Sequence, residues 1–281
     1  MTRFYIFLLT LLAIFSGKDA YADHLLGGEI NYKFISASGN TQTYRVTLSF
    51  FADCSSNTIG GAYAALPTAN PMVYVYKGNT EIAAARLQAD INKSNVEITP
   101  VCPDEKNNTA CTNINNPLPG IKLFVYSGEF TITGQDANWR FAFKGELSYT
   151  SAGITSAGRS FIIQNAQIMD PASGQATVMY LEATLNNTTG TNSSATFTSL
   201  PTPFFCLNKA SSYSLGAVDD ENDQLTFSLV PGKTITQGTQ PVIIDVVYLS
   251  PFTAVTPLPT AAGNFNFSPV NGQMNFTPNQ I

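Results

Sequence analysis

The chain has 281 residues, of which 14 are Lys or Arg, 19 are Asp or Glu and one is His. Charged residues make up 12%, about half the usual share, while hydrophobic residues reach 44% and aromatics 11%, enough to bury a sizeable core and to exclude disorder over the whole chain. The net charge of −5 leaves no basic footprint for a nucleic-acid backbone, and a single His thins the acid, base and metal-ligand inventory that most enzymes draw on.

Residues 1–22 read as a secretory signal peptide. Arg3 precedes an apolar run from Phe4 to Phe15, and Ala20-Tyr21-Ala22 puts small residues at the two positions a signal peptidase reads. About a dozen apolar residues are too few to cross a bilayer as a helix, and no second long apolar segment follows, so no membrane span is expected. The expected product is secreted or held at the cell surface, with cleavage after Ala22 leaving 12 basic against 18 acidic residues.

From there, period-two alternation predicts strands. Tyr44, Val46, Leu48 and Phe50 fall on one face and Arg45, Thr47 and Ser49 on the other. The same pattern occurs at Met72 to Tyr76, Ile121 to Tyr126, Phe130 to Ile132, Trp139 to Phe143 and Thr177 to Leu181. Only Thr80 to Asp90, with its alanines, reads as a short helix or loop. The segments between are rich in Gly, Asn, Pro, Ser and Thr, which make turns. The fold class is therefore all-β, with an N-terminal β-sandwich over residues 23–185.

Four cysteines in an exported chain point to disulfides. Cys102 and Cys111 bracket a polar loop and are the expected pair; Cys54 and Cys206 can be paired, free or bonded elsewhere. Residues 186–200, polar throughout from Asn186 to Ser194, read as a linker. Beyond it, residues 201–281 form a second β pattern. Leu225, Phe227 and Leu229 alternate, Val242 to Leu249 is nearly continuously apolar, and Phe265 and Phe267 face Met274 and Phe276 across Asn271-Gly272, a pair suited to a type I′ hairpin turn. Four or five strands are fewer than the seven or so of an Ig-sized sandwich, so an incomplete second sandwich, and a fragment of a longer protein, are expected.

Few motifs carry chemistry. Asp219, Glu221 and Asp223 are alternate carboxylates in the densest set of oxygen donors, the pattern by which a loop can hold Ca²⁺, although the EF-hand Gly and distant Glu are missing. His24 and Glu29 supply two metal ligands at most, and a structural role is expected of them. Glu129, Asp136 and Glu146 near Trp139 are a weak hint of glycosidase carboxylates. Tyr74, Tyr76, Phe124, Tyr126 and Trp139 could stack on sugar rings if exposed, but alternating strand aromatics belong more often to a core. No zinc-protease helix, nucleophile elbow or phosphate loop occurs. Sequons such as those at Asn187, Asn266 and Asn275 decide nothing in a chain this rich in Asn, Ser and Thr.

Several segments in order resemble a family. These are His24-Leu-Leu-Gly-Gly-Glu-Ile30, Tyr44-Arg-Val-Thr-Leu with Asp53-Cys54, Cys102-Pro103 with Thr109-Ala-Cys111, Gly120-Ile121 leading to Tyr126-Ser-Gly128, Trp139-Arg-Phe141, Cys206-Leu-Asn208, and Gly216 to Leu229. Together they are similar to the N-terminal region of large surface proteins of gliding and related bacteria that carry a gliding-motility-associated C-terminal sorting domain. The resemblance implies a modular, non-enzymatic exported protein with an adhesive or surface-structure role, sent out by the general secretory route and then type IX secretion. It implies a cadherin-like or Ig-like second module whose acidic loop holds Ca²⁺, with Glu221 standing where that loop prefers Asp and Asn222 where it prefers Gly. The expected partner is a protein or glycan on a surface or matrix. The alternative is a carbohydrate-binding module of a larger secreted enzyme.

Overall fold

The computed structural model describes residues 24–56, 65–151, 154–159, 162–163, 177–202, 205–236 and 242–279. Residues 1–22, read above as a signal peptide, lie outside them. The described residues form seventeen strands and three short 3₁₀ turns, so the all-β reading holds.

In chain order the strands are β1 (His24–Ser38), β2 (Thr41–Asp53), β3 (Met72–Lys77), β4 (Thr80–Arg86), β5 (Gln88–Ala89), β6 (Val96–Glu97), β7 (Ile121–Thr133), β8 (Trp139–Phe143), β9 (Glu146–Ser151), β10 (Ile154–Arg159), β11 (Ile162–Ile163) and β12 (Leu181–Leu185), then β13 (Ser211–Ser214), β14 (Lys233–Ile235), β15 (Ile243–Asp245), β16 (Thr260–Phe267) and β17 (Gln273–Pro278). Two sheets make the main sandwich. One runs β11-β1-β2-β7-β5, with β6 also on β7; the other runs β12-β8-β3-β4.

The core sits between these sheets because alternation points one face of each inward. Tyr44, Val46, Leu48 and Phe50 of β2, and Phe124, Tyr126, Phe130 and Ile132 of β7, meet Val73 and Val75 of β3 and Trp139, Phe141 and Phe143 of β8; all are buried. Rings interlock across the gap, Phe50 on Phe143 at 5.2 Å between centroids and Phe130 on Phe141 at 6.0 Å. Each such ring contributes about 1.5–3 kcal/mol by leaving water.

Several local expectations give way to sheet pairing. Thr80 to Asp90 is not helical: Lys77 and Thr80 pair across a Gly78-Asn79 turn, and the segment continues as β4 on β3. Backbone pairing to an open sheet edge outweighs the weak helix preference of its alanines. Ile121 to Tyr126 and Phe130 to Ile132 are one strand, because β2 pairs with β7 without interruption from Asp53↔Ile121 to Thr41↔Thr133. The ladder expected from Thr177 starts only at Leu181, with Tyr180 making an isolated bridge to Lys233. Leu225, Phe227 and Leu229 alternate in burial with their neighbours yet join no ladder, and of Val242 to Leu249 only Ile243–Asp245 is strand.

The C-terminal hairpin has the expected partners, Phe265↔Phe276 and Phe267↔Met274. Its turn is longer than a two-residue I′ turn. Ser268 N–H donates to Gln273 O and Gly272 N–H to Ser268 O, and Gly272 alone of the Asn-Gly pair has positive φ, +69°. A Cβ there would lie 2.7 Å from Phe227, so Gly serves both the turn and the packing.

Beyond β12 the sheets are small: β13-β17-β16 and the pair β14-β15. The polar run expected to be a free linker is built into the sandwich. Asn187 is 1% exposed, Ser194 N–H donates to Tyr32 O, and the Ser193 and Ser194 hydroxyls accept from Phe34 N–H and Tyr32 N–H. Residues 193 and 194 thereby cover the outer edge of β1, a row of backbone groups that would otherwise be open to another strand.

Candidate functional site: the outer face of the four-stranded sheet

The alternation that sends Trp139, Phe141 and Phe143 inward sends Arg140 outward, beside Tyr74 and Tyr76 of β3 and Glu182 of β12. Register sets Tyr76 and Thr184 directly opposite Arg140 on either side. Lys144, just past β8, is buried. Its Nζ lies 3.3 Å from the Tyr74 ring centroid and donates to Tyr76 Oη and Glu81 Oε2, each at 3.1 Å. This ammonium is desolvated but fully partnered by a ring face, a hydroxyl and a carboxylate. The Tyr74 hydroxyl donates to Glu146, and the Tyr180 hydroxyl to Glu182 Oε2 at 2.7 Å.

Arg140 differs. Its guanidinium stacks on Tyr76, 4.7 Å from the centroid, and Nη1 stands 3.6 Å from Glu182 Oε2. Its Nε is buried without a hydrogen-bond partner. Arg140 lines a cleft of about 510 Å³ at the end of the sheet, with Gly78, Asn79, Ala137, Asn138, Trp139 and Thr184. The cleft offers amides, a hydroxyl and one cation.

The other residues singled out in the sequence do not assemble a site. Phe124, Tyr126 and Trp139 are core residues and Tyr74 is covered, as alternating strand aromatics are expected to be, so these rings present no stacking face. Only Tyr76 is half-exposed, and Arg140 covers it. Glu129 pairs with Arg45 at 2.7 Å, Asp136 accepts from Asn138 N–H, and Glu146 accepts from Tyr74. His24 begins β1 opposite Ile162, whereas Glu29 sits opposite Ser49, where burial raises its carboxyl above the usual range.

The acidic loop does not gather its carboxylates. Asp219 Oδ1 accepts the N–H groups of Glu221 and Asp223, closing the turn in which Asn222 takes φ +63°. Glu221 Oε1 turns away to Ser193, accepting its N–H and hydroxyl, and Asp220 reaches Lys33 at 2.8 Å. Asp219, Glu221 and Asp223 thus face different partners, and no group of three His, Cys, Asp or Glu side chains forms a metal cage among the described residues. Calcium is accordingly expected to leave the unfolding free energy unmoved, and Asp219→Ala to cost about 1 kcal/mol by freeing two N–H groups; chemical denaturation with and without Ca²⁺ or EDTA checks both.

The disulfide also differs from expectation: Cys54 pairs with Cys111, and Cys102 and Cys206 are free and exposed. The end of β2 explains it. Asp53 lies opposite Ile121 and Cys54 N–H donates to Gly120 O, so the chain next to Gly120 is the chain next to Cys54. Cys111 packs there because Gly120 has no side chain; a Cβ at 120 would fall 2.5 Å from Cys111 Sγ. Cys102, close in sequence, faces solvent at the start of the 3₁₀ turn Pro103–Asn108.

Tyrosines carry the largest shifts in proton affinity. Burial, with Glu221 adding to it, pushes the Tyr44 hydroxyl up to about 12, and burial drives Tyr32, Tyr126 and Tyr180 higher still. The folded state therefore holds these protons more tightly than the unfolded chain, whose phenols titrate near 10. Their stabilising contribution is complete below pH 10 and is lost as pH rises toward 12 and beyond. In an alkaline titration, phenolate absorbance of these rings should appear only together with loss of β-sheet ellipticity; early, reversible ionisation of all twelve tyrosines would contradict this.

Comparison with protein-family models, with curated proteins and with solved structures gives no match.

Proposed function

We propose that the protein is a non-enzymatic, exported surface or secreted module that presents a β-sandwich to a matrix or partner, in the manner implied by its resemblance to surface proteins of gliding bacteria. The observation that supports this most is how its charges are used. Carboxylates that could have formed a metal centre or an acid–base pair have separate partners: Asp220 pairs with Lys33 of β1, Glu221 accepts from Ser193, Glu129 and Arg45 pair on the sheet surface, and Glu81 serves Lys144. The second region, with β13-β17-β16 as a small sheet, fits the cadherin-like or Ig-like module that the resemblance implies.

The test is protease shaving of intact producing cells, followed by attachment of a deletion strain to an extracellular matrix. Surface cleavage of the protein together with reduced attachment is the expected result. A protein protected until the cells are lysed would overturn the reading. A carbohydrate-binding role is the second reading, favoured by the polar cleft around Arg140.

A further inference from the structure

The four-stranded sheet ends in a strand whose outer side is open. Among the described residues β4 pairs with β3 on one side and with no strand on the other, and all seven of its residues are exposed, Ile82 at 48%. The edges of the facing sheet are treated differently. β1 is met by β11 at its start and by Ser193 and Ser194 at Tyr32 and Phe34, and β7 is met by β5 and β6. A free edge offers a row of backbone donors and acceptors to any strand that can approach, and proteins often blunt it with Lys or Pro. β4 has neither. Its centre is Ala83-Ala84-Ala85, whose side chains are too small to hold a second backbone away.

The residues at its ends decide which strand fits. Register places Arg86 opposite Met72, Ala84 opposite Tyr74 and, after the shift between Val75 and Tyr76, Glu81 opposite Tyr76. Met72, Tyr74 and Tyr76 alternate along β3, so Glu81, Ala84 and Arg86 share their face of the sheet. The bulge, which elsewhere turns an edge aside, here brings the two charges together: without its extra residue a spacing of five would set them on opposite faces. Glu81 and Arg86 therefore stand two pairing positions to either side of Ala84. We propose that β4 pairs antiparallel with β4 of a second copy about a two-fold axis through Ala84, joining two four-stranded sheets into one. Ala84 then faces its own counterpart, and each Glu81 faces the other copy's Arg86, twice by symmetry. Both groups have capacity to spare. Glu81 accepts from Tyr76 and Lys144 through Oε2, which leaves Oε1, and Arg86 gives Nη1 to Asn70 O and has no carboxylate partner among the described residues. A two-fold contact closes at the dimer and leaves no β4 edge for a third chain. The pairing is independent of what the sandwich binds.

Sedimentation equilibrium of the mature chain, with Cys102 and Cys206 alkylated, from about 10 μM to about 1 mM tests it. A monomer–dimer equilibrium is expected, with amide exchange in residues 80–86 slowing as the dimer fills. Ala84→Lys sets two ammonium groups face to face and Arg86→Glu sets Glu81 against a second carboxylate, so each should weaken the dimer at least about fivefold. Ala84→Ser, small and uncharged, should leave it unchanged. All these positions are exposed, and if Ala84→Lys nonetheless lowers the melt, Arg86→Glu carries the test. A chain that stays monomeric to about 1 mM, a dimer indifferent to both charged variants, or slowed exchange confined to residues outside 80–86 would each overturn the assignment. A β4 whose exchange slows only when an unrelated strand-forming peptide is added to monomeric chain would overturn the second copy as its occupant.

Discussion

Removing the Cys54–Cys111 bridge, by reduction or by Cys54→Ala with Cys111→Ala, is expected to lower the unfolding free energy by about 4 kcal/mol, the loop-entropy value for a 57-residue separation. Native-state packing acts in the same direction, because Cys54 is 1% exposed within the main core cluster and a truncated side chain leaves a void at the end of β2. The bridge also fixes where the segment from Cys102 to Gly120 rejoins the sheet, since Cys54 N–H and Gly120 O are already bonded at 2.9 Å. Urea melts of the oxidised, reduced and doubly substituted proteins measure the loss. Cys102→Ala, at an exposed position, should match the parent. A melt in which Cys102→Ala is as damaging as Cys111→Ala would show that Cys102 and Cys111 are joined instead.

The cysteine pairing depends on strand order, which alternation does not carry. Alternation is a local signal, and it placed Tyr44, Val46, Leu48 and Phe50 on one buried face and Trp139, Phe141 and Phe143 on another without knowledge of which strands are neighbours. Strand order is not local. That Asp53 meets Ile121 follows from the full-length pairing of β2 with β7, and only that pairing brings Cys111 to Cys54 rather than to Cys102. The same limit explains β4, whose alanines favour helix while the open edge of β3 demands a strand.

The site was half legible for a related reason. The Trp139 to Phe143 pattern by itself sends Arg140 to the face opposite the core. Its significance depends on Tyr76 and Glu182 arriving from strands far along the chain and on what they leave unpaired. The acidic loop was conspicuous by composition, yet composition does not say where carboxylates point. Asp219 closes its own turn and Glu221 reaches a serine 28 residues earlier.

The polar run after β12 carries the second large expected effect. Asn187→Ala should cost about 3 kcal/mol or more, although Asn187 lies in a stretch whose composition reads as a solvated linker. Its amide has four hydrogen-bonding capacities and uses all of them. Oδ1 accepts from Asp136 N–H at 2.8 Å and from Trp139 Nε1–H at 3.1 Å, while Nδ2 donates to Gln42 Oε1 at 2.8 Å and to Gly134 O at 3.1 Å. Those partners come from β2, from the loop before β8 and from β8 itself, so one side chain ties both sheets of the sandwich at the end where Trp139 closes the core. Truncation leaves the buried Trp139 indole N–H without an acceptor, and a buried donor without a partner costs about 1–3 kcal/mol by itself. Asn187→Asp should be at least as damaging, because it puts a charge where two donors were needed. Thr188→Ala, next in the chain and exposed, is the control and should change stability by no more than about 0.5 kcal/mol. Equilibrium denaturation followed by Trp139 fluorescence reads all three; an Asn187→Ala melt that overlays the control would mean that the run is the loose connector its composition suggests.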